Sequence, residues 1–311
     1  MDLDCTCKSV SGQPQGKDSA GMASAEDYSI CKQIMLRSSR NYSTASKYLP
    51  ADKQPHVEAL YALMRVGDDR IDVSHNGFSS PSEAIDDWEA TYWKAFARGG
   101  STHPVMRAYM DTAIKFSIPN ETMAAYFRAM REDLIIKRFP TFIDLLHYMD
   151  GSAIPAGRAM TYILGTRPNI PIDDALHGAD CLSIAMQLSN FWRDIGSDWL
   201  LGRIYIPQED MERFGYTESD LAARRINPKF IDLLEFEFKR TECYYDIARQ
   251  SVKSLASGNW AVMSALEIYR SILASIRRNH YDVFGRRAGP GNMRKIGLAF
   301  KSYWYTRKRK S

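Results

Sequence analysis

From about residue 25 to its end the chain repeats apolar residues at three- and four-residue spacing almost without interruption. No alternating run rich in Val, Ile or Thr is long enough to form a sheet strand. That periodicity predicts an all-α protein. Expected helices cover 26–39, 55–74, 82–98, 103–116, 120–136, 141–164, 174–201, 208–213, 217–223, 228–256, 259–284 and 291–307. Pro50 and Pro55 stand ahead of the second, Ser117 to Pro119 separate the fourth from the fifth, and Gly165 to Pro171 divide the central pair. Residues 1–25, rich in Ser, Gly, Asp, Lys and Gln, read as a disordered leader. Residues 26–311 show no repeat and no interdomain linker, so one helical domain is expected.

Composition narrows the function classes. Hydrophobic residues make up 45% of the chain, enough for a large core, and 41 basic against 37 acidic residues leave +4, too little for a nucleic-acid binder. Cys5, Cys7, Cys31, Cys181 and Cys243 are odd in number and irregular in spacing. They suggest neither a disulfide framework nor a zinc site, and fit a reducing, cytoplasmic setting. No stretch is apolar enough to span a bilayer. The tail KSYWYTRKRK, residues 301–310, sets Tyr303, Trp304 and Tyr305 beside a basic run. It reads as a solvated tail or as a peripheral contact with an anionic membrane.

Two acidic stripes carry the chemistry. In YALMRVGDDRID, residues 61–72, the face of Val57, Leu60, Tyr61 and Met64 continues onto Asp68 and Asp72. In residues 175–199, Ile184, Gln187 and Phe191 continue onto Asp194 and Asp198, with Asn190 beside them. One such pair is commonly a solvated helix face. Two of one design, each extending an apolar stripe and each near arginine (Arg65 and Arg70; Arg193 and Arg203), require a cation between them. Oxygen ligands without His or Cys favour Mg²⁺, or Mn²⁺ in its place, bridging carboxylates to a diphosphate. Metal and arginine would neutralise the departing diphosphate, and aromatic walls would shelter the carbocation. Phe127, Tyr148, Tyr162 and Phe191 are expected to face the interior.

The motifs resemble those of the squalene and phytoene synthase family over nearly all of residues 28–300. They are R-V-G-D-D-R-I-D (65–72), Q-L-S-N-F-W-R-D-I-G-S-D-W-L-L-G-R-I-Y-I-P (187–207), S-R-N-Y (39–42), M-R-E-D-L (130–134), Y-M-D-G-S-A (148–153) and the stretch from Tyr269 to Phe284. The resemblance implies a single-domain isoprenoid-synthase bundle with a central active-site cavity, joining two prenyl diphosphates head to head through a cyclopropylcarbinyl diphosphate. It places Asp68, Asp69 and Asp72 on one metal-binding wall and Asn190, Asp194 and Asp198 on the other. Arg40, Arg65, Arg193, Tyr281 and Arg294 become diphosphate contacts, and Tyr148 and Gln187 lie near the reacting carbons. Diphosphate or Tyr148 would take the proton.

Where many members carry V-A-G-x-V-G, this chain has S-A-I-P-A-G, residues 152–157. That departure leaves the product open, while G-S-A at Gly151 to Ala153 resembles bacterial and archaeal phytoene synthases and also the hydroxysqualene-forming branch. The resemblance leans toward phytoene from geranylgeranyl diphosphate, with squalene, dehydrosqualene or hydroxysqualene from farnesyl diphosphate as the alternative and NADPH needed only for squalene. The rivals are a class I terpene cyclase or single-substrate prenyltransferase, a non-catalytic assembly factor and a structural bundle. Chain length, oligomeric state and the leader's role stay open.

Overall fold

The computed structural model describes residues 23–38, 46–72, 77–285, 287–289, 291, 297–299, 302–303 and 306, with the side chain of Asp72 outside the description. Arg40, Arg294, residues 1–22 of the expected leader and most of the helix expected over 291–307 lie outside the described residues. The described helices are α1 (Ala25–Ser38), α2 (Gln54–Asp72), α3 (Pro81–Arg98), α4 (Pro104–Lys115), α5 (Asn120–Ile135), α6 (Phe142–Ser152), α7 (Ile154–Leu164), α8 (Ile172–Leu200), α9 (Gln208–Phe214), α10 (Glu218–Ala222), α11 (Pro228–Ser251) and α12 (Asn259–Arg278). Among the described residues there is no strand, only an isolated bridge between Thr166 and Leu255. The all-α expectation holds.

Sequence punctuation explains most of the ends. Ser80 accepts from Glu83 N and Pro81 fills the first turn of α3, while Gly99 closes it at φ 69. Thr141 and Asp144 form a capping box on α6, and Thr217 and Asp220 form another on α10.

Three expected helices are corrected. The one expected over 141–164 is two, α6 and α7, broken at Ala153 (φ −124, ψ −45). Pro155 sits in the first turn of α7, where its missing N–H is harmless, although inside a continuous helix it would have removed a hydrogen bond. The helix expected over 228–256 ends at Ser251 and passes into a tighter turn, Val252–Ser254. The helix expected to reach 284 ends at Arg278, because His280 and Tyr281 take positive φ (52 and 60) and Asn279 Nδ2 donates to Asp282 O at 2.7 Å.

Burial divides the bundle into two packed cores. One gathers α1 to α5 around Trp88, Tyr92, Tyr109, Tyr126 and Phe127. The other gathers α6 and α8 to α12 around Trp192, Phe230, Phe238, Tyr245 and Leu273. Helix α7 belongs to both, giving Ile154 to the second core and Ala159, Ile163 and Leu164 to the first. It packs on α2 and on α8, the two helices that carry the acidic stripes. Trp88 Nε1 donates to Leu63 O at 3.2 Å and Trp192 Nε1 to Thr241 Oγ1 at 2.9 Å, so both large indoles are buried with a partner.

Helices α5 and α6 cross closely at a glycine. A Cβ on Gly151 would stand 2.5 Å from Ala129 Cβ and 2.6 Å from Ala125 O. Gly151→Ala is therefore expected to force the helices apart at a cost of about 1–3 kcal/mol, seen as a fall in melting temperature of roughly 2–12 °C. An unchanged melting curve would mean that the crossing yields without strain.

Candidate active site

Each acidic motif contains an arginine-bound carboxylate. On α2, Arg65 Nη2 donates to Asp69 Oδ1 across one turn. Asp68 is half-buried at the end of its apolar stripe, below Val57 and Leu60, which are buried. The side chain of Asp69 is 42% exposed. Arg65 Nε is buried with no hydrogen-bond partner among the described residues, leaving one donor available to an anion. Arg70 turns away from the acids, donating to Asp87 Oδ2 at 2.8 Å and lying over the Trp88 ring at 4.7 Å.

On α8 the carboxylates are held more tightly. Asp194 accepts from Arg193, with Nε to Oδ1 at 2.9 Å, and from Arg287, with Nε to Oδ1 at 2.8 Å and Nη2 to Oδ2 at 2.9 Å. Burial alone would raise this carboxyl, but the two guanidinium groups outweigh it and hold Asp194 below the usual carboxylate range. One turn on, Asp198 is pushed up to about 7, first by burial and then by the charge of Asp194. A half-buried acid in that condition favours a cation beside it. Gln187 and Asn190 are half-buried on the same helix, two turns and one turn before Asp194.

Behind α8 lies an aromatic and hydroxyl cluster. Tyr205 stacks on Phe191 with centroids 3.9 Å apart and planes 8° apart, and Tyr148 lies 5.9 Å from Tyr205. Tyr148 OH donates to Asp133 Oδ1 at 2.8 Å, and Arg203 Nη2 donates to Asp133 Oδ2 at 2.6 Å. Burial raises the Tyr148 phenol well above its ordinary value and pushes Tyr205 up to about 12. Tyr148 is thus a neutral donor whose proton already points at Asp133. That geometry makes it a poor proton acceptor, which favours diphosphate of the two acceptors expected from the sequence.

The segment carrying Arg203 and Tyr205 is tied along residues 137–140. Ile204 N donates to Lys137 O at 3.0 Å, Gln208 N to Phe139 O at 2.9 Å and Glu209 N to Pro140 O at 3.0 Å. At its far end Arg240 Nη1 donates to Asp210 Oδ2 at 2.7 Å and to both Glu237 oxygens at 3.1 Å, its guanidinium 4.0 Å over Phe142.

Glu237 is fully buried, and burial pushes its carboxyl well above the usual range, with Arg240 opposing and Asp210 adding to the rise. The folded chain then keeps a proton that the unfolded chain releases near the ordinary glutamate value. Stability should fall as pH rises above that value toward the raised one. Glu237→Gln is expected to flatten this slope, measured by urea unfolding at about pH 5 and about pH 8; an unchanged slope would mean that Glu237 is ionised in the fold.

Several expected residues lie elsewhere. Tyr281 OH donates to Glu235 Oε1 at 2.8 Å, beside Arg277, and so joins α11 rather than the aspartates. Tyr162 is only partly buried and lines a separate pocket between α5, α7 and α8, together with Arg158 and Asp150. Sequence reasoning missed Asp133, Tyr205 and Arg287. The first two stand inside the quoted blocks M-R-E-D-L and G-R-I-Y-I-P, while Arg287 follows the last block without a local signal.

The donor set is carboxylate and amide oxygen, which suits a hard divalent cation. Among the described residues, no group of three or more His, Cys, Asp or Glu side chains converges to hold a metal ion. Arginine occupies the carboxylate nearest to that role. The donor chemistry fits the metal, and rearrangement of a guanidinium is what its binding would demand.

Comparisons with known proteins converge. The sequence profile of the squalene/phytoene synthase family matches residues 35–294. The phytoene synthase of Arthrospira platensis is 31% identical over 274 residues, covering 85% of this chain and 88% of its own. The 15-cis-phytoene synthase of Synechococcus elongatus is 30% identical over 284 residues, covering 88% and 91%. Among solved structures, a ligand-bound dehydrosqualene synthase superposes with a TM-score of 0.83 at 28% identity, covering 91% of this chain and 97% of its own. A squalene synthase from Alicyclobacillus acidocaldarius gives 0.74 at 30%, covering 82% and 95%.

Proposed function

Because this chain belongs to the squalene/phytoene synthase family, whose members are prenyltransferases, we propose that it joins two geranylgeranyl diphosphates head to head to make phytoene. The observation that carries this reading is the pair of acidic stripes, Asp68 and Asp69 on α2 and Asp194 and Asp198 on α8, each with arginine already seated on a carboxylate. The similarity to relatives named phytoene synthase supports the twenty-carbon substrate. The likeness to a dehydrosqualene synthase favours a second reading, in which farnesyl diphosphate is the substrate. Only a squalene product would require NADPH.

Asp68, Asp69, Asp72, Asn190, Asp194 and Asp198 would hold Mg²⁺, which when bound polarises and neutralises the diphosphate. The arginines contribute fixed positive charge. Arg65, with its free Nε, and Arg193 would bind the diphosphate oxygens and orient the C1–O bond for cleavage. Once the donor's C1–O bond breaks, its allylic carbon is attacked by the acceptor's C2–C3 double bond. Proton loss closes the cyclopropane, giving a cyclopropylcarbinyl diphosphate and releasing one diphosphate. The second C–O bond then breaks, the cation rearranges, and loss of a further proton leaves the conjugated triene. Phe191, Tyr205 and Tyr148 would line this path, excluding water and facing the cation with aromatic rings. Tyr148 is committed to Asp133, so the departing diphosphate is the better proton acceptor.

The test is to incubate purified protein and Mg²⁺ with geranylgeranyl or farnesyl diphosphate, with and without NADPH, and to identify the extracted hydrocarbon. Phytoene from the twenty-carbon substrate without NADPH is expected. A thirty-carbon product would move the substrate, a cyclic product from one substrate molecule would favour a cyclase, and no metal-dependent product would sink the coupling reading.

A further inference from the structure

Asp194 has two oxygens and about four lone-pair sites. Four guanidinium N–H groups aim at them, two from Arg193 and two from Arg287. In this arrangement no lone pair is left for a metal ion. If Asp194 is a metal ligand, one arginine must leave before the ion can bind.

The two arginines differ in how firmly they are held. Arg193 is the preceding residue on α8, with a side chain only 12% exposed. Arg287 comes from outside the helices, with a side chain 72% exposed. Its segment is anchored up to residue 285. Asp282 Oδ1 accepts from Phe284 N at 3.0 Å and Gly285 N at 2.8 Å. Val283 and Phe284 lie so close to α8 that a Cβ on Gly196 would stand 2.7 Å from Val283 O and 2.9 Å from Phe284 Cα. Arg287 therefore stands two residues past a fixed point, on an exposed side chain. The Arg287 end of the pair is open to water although Asp194 is largely buried (17% exposed), so a released guanidinium is rehydrated, and its fork matches diphosphate oxygens as well as it matches a carboxylate.

We propose that Arg287 is an exchangeable counter-ion: it pairs with Asp194 in the metal-free enzyme and passes to the substrate's diphosphate when the metal ion takes its place. This rests on the reading of Asp194 as a metal ligand. Arg287 then contacts the diphosphate directly and couples the two binding events. Metal alone must displace it to solvent, whereas metal with diphosphate gives it a new anion. Diphosphate should therefore strengthen metal binding through Arg287 as well as through its own oxygens.

The measurement is Mn²⁺ binding to the full-length protein, followed by the electron-paramagnetic-resonance signal of free Mn²⁺, with and without inorganic diphosphate. Wild type, Arg287→Gln and Arg287→Lys are compared after circular dichroism shows them folded. Arg225→Gln, at an exposed arginine paired with Asp220, controls for net charge. Arg287→Gln is expected to bind Mn²⁺ alone about 10-fold more tightly than wild type and to lose about 10-fold of the strengthening by diphosphate. Arg287→Lys should fall between, and Arg225→Gln should match wild type. If Arg287→Gln binds Mn²⁺ no more tightly, or keeps the full effect of diphosphate, the exchange is overturned while the metal site stands. If wild type binds no Mn²⁺ even with diphosphate, the reading of Asp194 falls and the exchange falls with it.

Discussion

Replacing Asp194 by asparagine is expected to lower turnover by about 10³-fold or more at saturating Mg²⁺, with the helical circular dichroism spectrum retained. The side chain keeps its size and loses its charge. Two consequences follow from the geometry. The charged oxygen proposed as a metal donor on α8 becomes a neutral amide, and Arg193 and Arg287 lose the carboxylate that both now grip. Arg193, 12% exposed, would be left partly desolvated without its ion pair. The loss should appear in kcat, because the metal ion that Asp194 is proposed to hold would neutralise the negative charge that develops as diphosphate leaves. Turnover within tenfold of wild type would remove Asp194 from the catalytic machinery. An assembly factor, by contrast, would keep its cellular role after this change.

The second large effect is expected in stability. Trp192 is completely buried and precedes Arg193 and Asp194 on α8. Its indole packs into the seam with α11, where Nε1 donates to Thr241 Oγ1 at 2.9 Å and Thr241 Oγ1 donates to Glu237 O at 2.7 Å. Trp192→Ala should cost about 3–5 kcal/mol through lost burial and the cavity left behind. In a chain of this size that is a fall of roughly 6–20 °C in melting temperature. Trp192→Phe keeps most of the packing and loses the hydrogen bond, so it should cost much less. Because the indole fixes the roll of α8, the alanine variant should also lose turnover below its melting range. A calorimetric loss near zero would mean that the seam refills without it.

Both effects concern residues that the sequence displays openly, since Trp192 and Asp194 sit in one dense motif on a long periodic helix. Local patterns of that kind survive folding. What stays hidden depends on partners far away along the chain. Asp133 pairs with Arg203 across 70 residues and Asp194 with Arg287 across 93, and no spacing rule reports such pairs. The end of α12 is obscured for another reason: Tyr281, Val283 and Phe284 continue an apolar rhythm, while positive φ at His280 and Tyr281 turns the chain away. The break between α6 and α7 does carry a local sign. Pro155 is a first-turn signal, masked by the matching rhythm on either side of it.

The two cores also differ in when synthesis can complete them. Helices α1 to α5 supply most of the first core, and their closest partners are near neighbours along the chain. That region can collapse early as the chain emerges. It stays open on one side, because Ala159, Ile163 and Leu164 of α7, then Leu255 and Ala261, fill its remaining face. The second core must wait longer, since Leu266, Ile272, Leu273 and Ile276 of α12 pack against α8. The wall bearing Asp68 and Asp69 is thus expected to assemble before the wall bearing Asp194 is fixed against α12, and Arg287 emerges after both. A nascent chain stalled once α8 has emerged should protect α2 amides from exchange while leaving those of α8 open.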